Sequence, residues 1–410
     1  MTSGGPAAER IELVRVVVTG VGAVSAAGPR APDLWSALLQ GRLAPSSLTA
    51  FDPGRPAVVA QLPDYRGPSG VPDAVLRRLS RSARFALDAS MQAIGDSRLE
   101  LGPEQAPYIG ALIGTAHADG FDSADGADAR RFFSDGLAGV TSGLHIGGPS
   151  ATIRADAASG LIAIGEATAL IQSGAVQIAV AGGAEAPLGR RIWSAYEAAG
   201  LLSRQSEPNA LRPFDLLRDG LVLGEGAAAL VLENRDVALA RGARIYAEVI
   251  GFGQTSGPPG DGCAPTDVDI GRRALGTAIR QAAISPHQID VVYAAGAGTL
   301  AGDARETDIL ERSLGARILD TYVTTVTPVV GFTVGASGAL AAAAAVFSLA
   351  EQVVPPHASF EQPDEACGLD FARTPQRDHL GGAAVCAYGT LGQNAAVILA
   401  RAETDASAGA

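Results

Sequence analysis

Short runs of β-branched and aliphatic residues alternate with longer Ala-rich stretches along this chain. "RVVVTGVG" (15–22) predicts a strand running into a Gly turn. "YIGALIGTA" (108–116), "VQIAVAGGAEA" (176–186) and "AAALVLEN" (227–234) are apolar runs too short for a helix and predict further buried strands. Helices are predicted over 32–40, 74–95, 158–173 and 191–199. The plan then repeats. "ARIYAEVIGFGQTSG" (243–257) opens a second half, followed by a helix over 269–283, a strand and turn in "IDVVYAAGAG" (289–298) and helices over 303–314 and 333–351. "AAVCAYGTLGQNAAVILARA" (383–402) closes it as a hairpin around a Gly-containing turn. In each half one long Ala/Gly-rich helix follows a strand and turn and has no polar face. Such a helix belongs at the centre of a layered fold, covered on both sides. The prediction is an α/β fold of two similar halves, 13–242 and 243–401, with loose tails at 1–12 and 402–410.

Composition narrows what such a fold can do. Hydrophobic residues are 47% of the 410 and charged residues 18%, so the interior is large relative to the surface. Net charge is −12, with 43 acidic against 31 basic residues, and every basic residue is arginine. Without lysine there is no Schiff base and no lysine general base. Nothing resembles a phosphate-neutralising patch, so nucleic acid is not an expected partner. Cys263, Cys367 and Cys386 match no metal or redox spacing; no metal or cofactor is expected, and the odd count suits a reducing compartment. "MTSGGPAAER" has no apolar signal region. The uncharged run "TVGASGALAAAAAVFSLA" (333–350) is mostly small residues and is expected to be a buried helix, not a membrane span. The expected location is cytoplasmic.

The candidate site lies in "ADAASGLIAIGEATALIQSG" (155–174), which reads as the end of a strand, a tight turn and a helix. Acyl-transfer enzymes place a nucleophile at such an elbow, where the helix N-terminus favours a thiolate or an oxyanion. Here the elbow carries Ala157 and Ala158, neither of which has chemistry to offer. Ser159 is the nearest hydroxyl, with no visible base beside it.

The segment "NALRPFDLLRDGLVLGEGAAALVLE" (209–233) closely resembles the β-ketoacyl synthases of fatty acid and polyketide assembly. "VVVTGVGAVSAAG" near the start, "VAGGAEAP" (180–187), "LAGDARETD" (300–308) and "VPPHASFEQPDE" (354–365) are also similar, in order over almost the whole chain. The resemblance implies the thiolase fold, five layers in the order α-β-α-β-α, and a two-fold dimer. Its retained motif residues include Asp215, Asp219, Glu225, Asp303 and Glu306. It also implies four reactive groups: a cysteine at the elbow, two histidines that serve decarboxylation and the enolate, and a lysine that holds the hydrogen-bond network. By position these fall on Ala157, Ala295, Phe332 and Thr327 respectively. The Gly-Phe-Gly-Gly gate of active enzymes corresponds to "GTLG", Gly389 to Gly392. His145, His287, His357 and His379 lie in polar or Pro-rich contexts that read as surface or loop.

An unarmed chain of this kind resembles the chain length factor, or ketosynthase β subunit, of type II polyketide systems. The resemblance implies a heterodimer with a catalytic ketosynthase, in which this chain shapes the far end of the partner's acyl tunnel. By family position the tunnel end falls in "HADGFDSADGADARRFF" (117–133), with His117 and Phe121 as first candidates and Phe132 and Phe133 as further ones. The strand at 149–156 is expected to pair with its mate across the dimer axis. Acyl carrier proteins are acidic as a family, so a chain of net −12 is expected to leave their docking mainly to the partner, unless Arg77, Arg78, Arg81 and Arg84 form a basic cluster. Two alternatives remain open: a thiolase-fold acyltransferase using a non-cysteine nucleophile such as Ser159, and a purely structural homodimer.

Overall fold

A computed structural model describes residues 14–117, 136–260, 263, 265, 267–369 and 371–403. The first half contributes β1 (Val16–Ser25), β2 (Ile109–Gly114), β3 (Ser150–Ile153), β4 (Ile178–Glu185) and β5 (Gly226–Asn234). The second contributes β6 (Ala247–Ser256), β7 (Val291–Tyr293), β8 (Tyr322–Thr324), β9 (Gly382–Tyr388) and β10 (Gln393–Arg401). The strand order is β8-β7-β9-β10-β6-β1-β5-β4-β2-β3. Each half thus runs third, second, fourth, fifth, first, with the same parallel and antiparallel neighbours. The two sheets join where Val16–Val18 of β1 pairs antiparallel with Ala247–Val249 of β6.

One local device recurs in both halves. In β1, a Cβ on Gly20 or Gly22 would lie about 2 Å from the carbonyl oxygens of Ala93 and Ala89 in the overlying helix Arg81–Ser97. In β6, Gly251 and Gly253 meet Ala278 and Ala274 of helix Val268–Gln281 in the same way. Alternate glycines below alanines four apart let helix backbone rest on strand backbone. Between the sheets lie two further helices, Ser159–Gln172 and Ser337–Glu351. They touch where Gly160 faces Ala339 and Gly335. The second is buried along nearly its whole length, which is why it tolerates no polar face. With helix Leu300–Leu314 also on the outer face of the second half, the layers are α-β-α-β-α. Val334–Glu351, the one candidate membrane span among the described residues, is mostly buried inside the fold.

Most predicted elements recur within a few residues, and the departures have local causes. The predicted helix over 74–95 is broken: a short turn, Asp73–Leu76, precedes Arg81–Ser97, whose N-terminus is capped by the Ser80 hydroxyl accepting from the Ala83 amide at 3.1 Å. The strand and turn expected over 289–298 are present: the strand is Val291–Tyr293, and the rest forms the loop into helix Leu300–Leu314. Strand β8 was not expected at all; three residues carry too little pattern. The four arginines named as a possible basic cluster divide: Arg77 and Arg78 are exposed, whereas Arg81 and Arg84 are tied to the fold. Arg81 grips the Glu225 carboxylate through two contacts of 2.6 Å, and Arg84 donates to the carbonyls of Leu76 and Arg66. His357, expected at the surface, is 3% exposed and packs among Phe214, Phe360 and Phe371. Burial pulls its pKa down to about 4, so it is neutral in the folded chain.

Candidate active site

Strand β3 delivers the chain to the elbow. Asp156 turns it with φ of +51°, a left-handed conformation that Asp tolerates better than most residues. Ala157 and Ala158 follow, and the central helix begins at Ser159. Ala157 lines a small closed cavity together with Ala295, Thr327 and Phe332. These four positions are up to 175 residues apart in sequence, and the fold brings them to one point. The cavity leaves ≈ 10 Å³ for water centres, room for about one water molecule. Its wall offers methyl groups, a phenyl ring and two hydroxyls that are already engaged: Thr327 Oγ1 donates to the Gly296 carbonyl at 2.6 Å, and Ser337 Oγ pairs with Thr333 Oγ1 at 3.1 Å. Phe332 is fixed by its backbone, which bonds to Val222 and Gly224.

Cys386, on β9, also lines the cavity, which the sequence pattern did not reveal because it sits in an alternating run of buried alanines. Burial pushes its thiol up to about 12, so at neutral pH it is not a thiolate. Ser159 is no better placed as a nucleophile. Its Oγ is fully buried, accepts from the Ala155 amide at 2.8 Å, and lies 2.6 and 3.1 Å from the carbonyls of Asp156 and Thr115. That hydroxyl braces the elbow.

The five retained acidic residues do not line the cavity; they hold loops and segments together. Glu306 accepts from the amides of Ala295 (2.7 Å) and Gly296 (2.9 Å), fixing the loop that carries the Ala295 position. Burial pushes its carboxyl up to about 8 despite those two bonds. Asp303 accepts from the amides of Phe214 (2.7 Å) and Gly298 (3.0 Å) and faces Arg218; burial raises it to about 6. Asp215 binds the amides of Leu217, Glu361 and Gln362, joining the 209–233 segment to 354–365. Asp219 takes the Ser203 hydroxyl and the Arg204 amide. Glu225 receives Arg81 and the Leu62 amide.

His117 stands at the exit of β2. Its ring meets Tyr196 edge-on, and Nδ1 lies 3.4 Å from the buried Glu185 carboxylate, an ion-pair distance without good hydrogen-bond alignment. Burial disfavours its cation, but Glu185 and then Asp156 more than offset this, so its pKa is raised. Phe121, Phe132 and Phe133 lie outside the described residues.

Models of the two halves of the β-ketoacyl synthase family match this chain, the N-terminal domain over residues 14–238 and the C-terminal domain over 246–361. The chain belongs to the β-ketoacyl synthase family. It is 33% identical over 396 residues to a putative polyketide β-ketoacyl synthase 1 of Streptomyces cyaneus, covering 89% of this chain and 94% of that one. It is also 33% identical to the 3-oxoacyl-[acyl-carrier-protein] synthase 2 of a Synechocystis strain, over 88% of this chain and 91% of that one. Among solved structures, the ishigamide ketosynthase/chain length factor superposes with a TM-score of 0.86 at 26% identity, covering 96% of this chain and all of that one. The fold is that of type II polyketide ketosynthases and chain length factors, within the thiolase superfamily.

Proposed function

We propose that this chain is a non-catalytic chain length factor: it pairs with an active, cysteine-bearing ketosynthase in the cytoplasm and shapes that partner's acyl tunnel. One observation carries the proposal. The four positions at which the family's chemistry is expected meet around one cavity, and Ala157, Ala295, Thr327 and Phe332 supply it with no nucleophile and no base. The buried, fully bonded Ser159 speaks against the acyltransferase alternative.

The physics of length control follows from burial. A growing chain gains about 0.8 kcal/mol per methylene buried, and a bulky side chain at the tunnel floor converts further growth into a clash. In this family's dimer the floor comes from the neighbouring subunit. We assign it to the segment after β2, with Phe121 first and His117, Phe132 and Phe133 as further contributors, and we expect a reduced, polyene-type product. Among the described residues strand β3 is the last strand of the sheet, paired to β2 with Ser150 and Ala151 exposed, and we assign to it the junction with a partner's sheet. Such an interface buries more than the standard roughly 1,600 Å². Carrier protein docks mainly on the partner, because a chain of net −12 repels an acidic protein within a Debye length of about 8 Å.

Native mass spectrometry after co-expression with a ketosynthase of the same pathway tests the pairing. A one-to-one heterodimer acylated only on the partner is expected. A homodimer that ignores that partner, or an acyl group on this chain, overturns it. Within the heterodimer, Phe121→Ala is expected to lengthen the product without abolishing synthesis; unchanged products remove Phe121 from the floor.

A further inference from the structure

We propose that Asp156 is the residue that excludes acyl chains from this subunit's own cavity, by pinning the Gly389–Gly392 turn against the elbow. The inference rests on the pairing proposed above, for it says why loading falls on the partner alone.

The turn joins β9 to β10 and is held on two sides. On the elbow side, Asp156 Oδ2 accepts from the Leu391 amide at 3.3 Å, and the backbone of Gly389 packs so closely that an added Cβ would lie 2.9 Å from Asp156 Cβ. On the opposite side, the Gly257 amide donates to Gly392 (3.0 Å), the Gly260 amide donates to Thr390 (2.8 Å), and Thr390 Oγ1 contacts Cys263 Sγ at 3.2 Å. Leu391 itself is 62% exposed, so solvent lies beyond the turn. Asp156 directly precedes Ala157 in the cavity wall. The turn thus packs on the residue next to Ala157 in the chain. Leu391 also stands where the resembling gate has glycine, which removes backbone freedom from the turn. Asp156 therefore does two things at once: it adopts the left-handed turn that makes the elbow, and its carboxylate ties the 389–392 turn to that elbow.

The three cysteines make the test direct. Cys386 lines the cavity and Cys263 contacts the turn, whereas Cys367 lies in the core around Phe214 and Phe371. All three are buried and free. Iodoacetamide alkylation of the full chain, mapped residue by residue with mass spectrometry, is expected to accelerate at Cys386 and Cys263 by about tenfold in Asp156→Ala, the shift that loss of one charge-assisted hydrogen bond supports. Cys367 should keep its wild-type rate. Asp156→Asn retains an acceptor oxygen and should stay closed. Gly389→Ala, which wedges a Cβ against Asp156, should open the turn with the carboxylate still present, and it carries the test if Asp156→Ala does not fold. Unchanged rates at Cys386 and Cys263 in both opening variants overturn the proposal. So does equal acceleration at all three cysteines, which is general loosening, and so does an Asn variant that opens like the Ala one. The readout needs neither partner nor product. A chain that opens as expected but forms no heterodimer upholds the pin and sinks the pairing.

Discussion

Around the elbow, Ala157, Ala295, Thr327 and Phe332 present methyl groups, a tied hydroxyl and a phenyl ring, whereas the loop that carries Ala295 is held by Asp303, Glu306 and Arg218, each buried and each engaged. The difference is energetic. A wall residue of this kind can be exchanged for another of similar volume at a cost below about 1.5 kcal/mol. A buried clamp cannot lose one partner without leaving the other uncompensated. The clamps therefore fix the shape of the cavity more firmly than the residues that line it.

The largest effect should come from the clamps. Arg218, with a side chain 1% exposed, bonds Asp364 at 2.5 Å, faces Asp303 at 3.5 Å and donates to the Asp215 carbonyl at 2.8 Å. Arg218→Leu should destabilise the chain by about 3–5 kcal/mol in chemical denaturation. A loss below about 1 kcal/mol would erase the distinction between clamp and wall.

Glu306 sharpens the comparison through pH. Its folded pKa is raised to about 8, above the ordinary 4.5, so its contribution is complete below pH 4.5 and declines as pH rises toward 8, where the unfolded chain is ionised and the folded one is not. Glu306→Gln keeps an acceptor for one of the two amides, which bind separate carboxyl oxygens, and removes that slope. Between pH 5 and 8 the variant should gain on the wild type by on the order of 2–4 kcal/mol in unfolding free energy. Parallel stability–pH curves would show that the carboxyl is ionised in the fold.

The smallest effect belongs to the wall. Ala157→Cys should change stability by less than about 1 kcal/mol. It should also take up no acyl group from an acyl carrier protein by intact-mass analysis, because the neighbouring positions provide no base and burial keeps even Cys386 a thiol up to about pH 12. Acylation of that variant would mean that a single substitution re-arms the site.

Much of this was legible in the residues. The alternation of short apolar runs with Ala-rich stretches placed most strands and both central helices, because a buried strand and a two-sided helix each leave a local pattern. The order of motifs named the family, and the resemblance assigned its four reactive positions to Ala157, Ala295, Thr327 and Phe332. The repeat of Gly20 and Gly22 in Gly251 and Gly253 was visible as letters, but its reason, backbone resting on Ala89, Ala93, Ala274 and Ala278, was not. The helix over 74–95 looked continuous because its apolar spacing carries across Ser80, and the cap that breaks it is a single hydroxyl.

By itself the sequence determined the element types, the two-fold repetition and the identity of the side chains at the elbow, since these depend on neighbours a few residues away. Tertiary structure alone decided that His357 is a neutral core residue, that Cys386 enters the cavity, that Ser159 is a brace, and that Asp156 reaches the turn 235 residues further on. Burial and hydrogen-bond partners are properties of what the fold places opposite a side chain, and no local period records them.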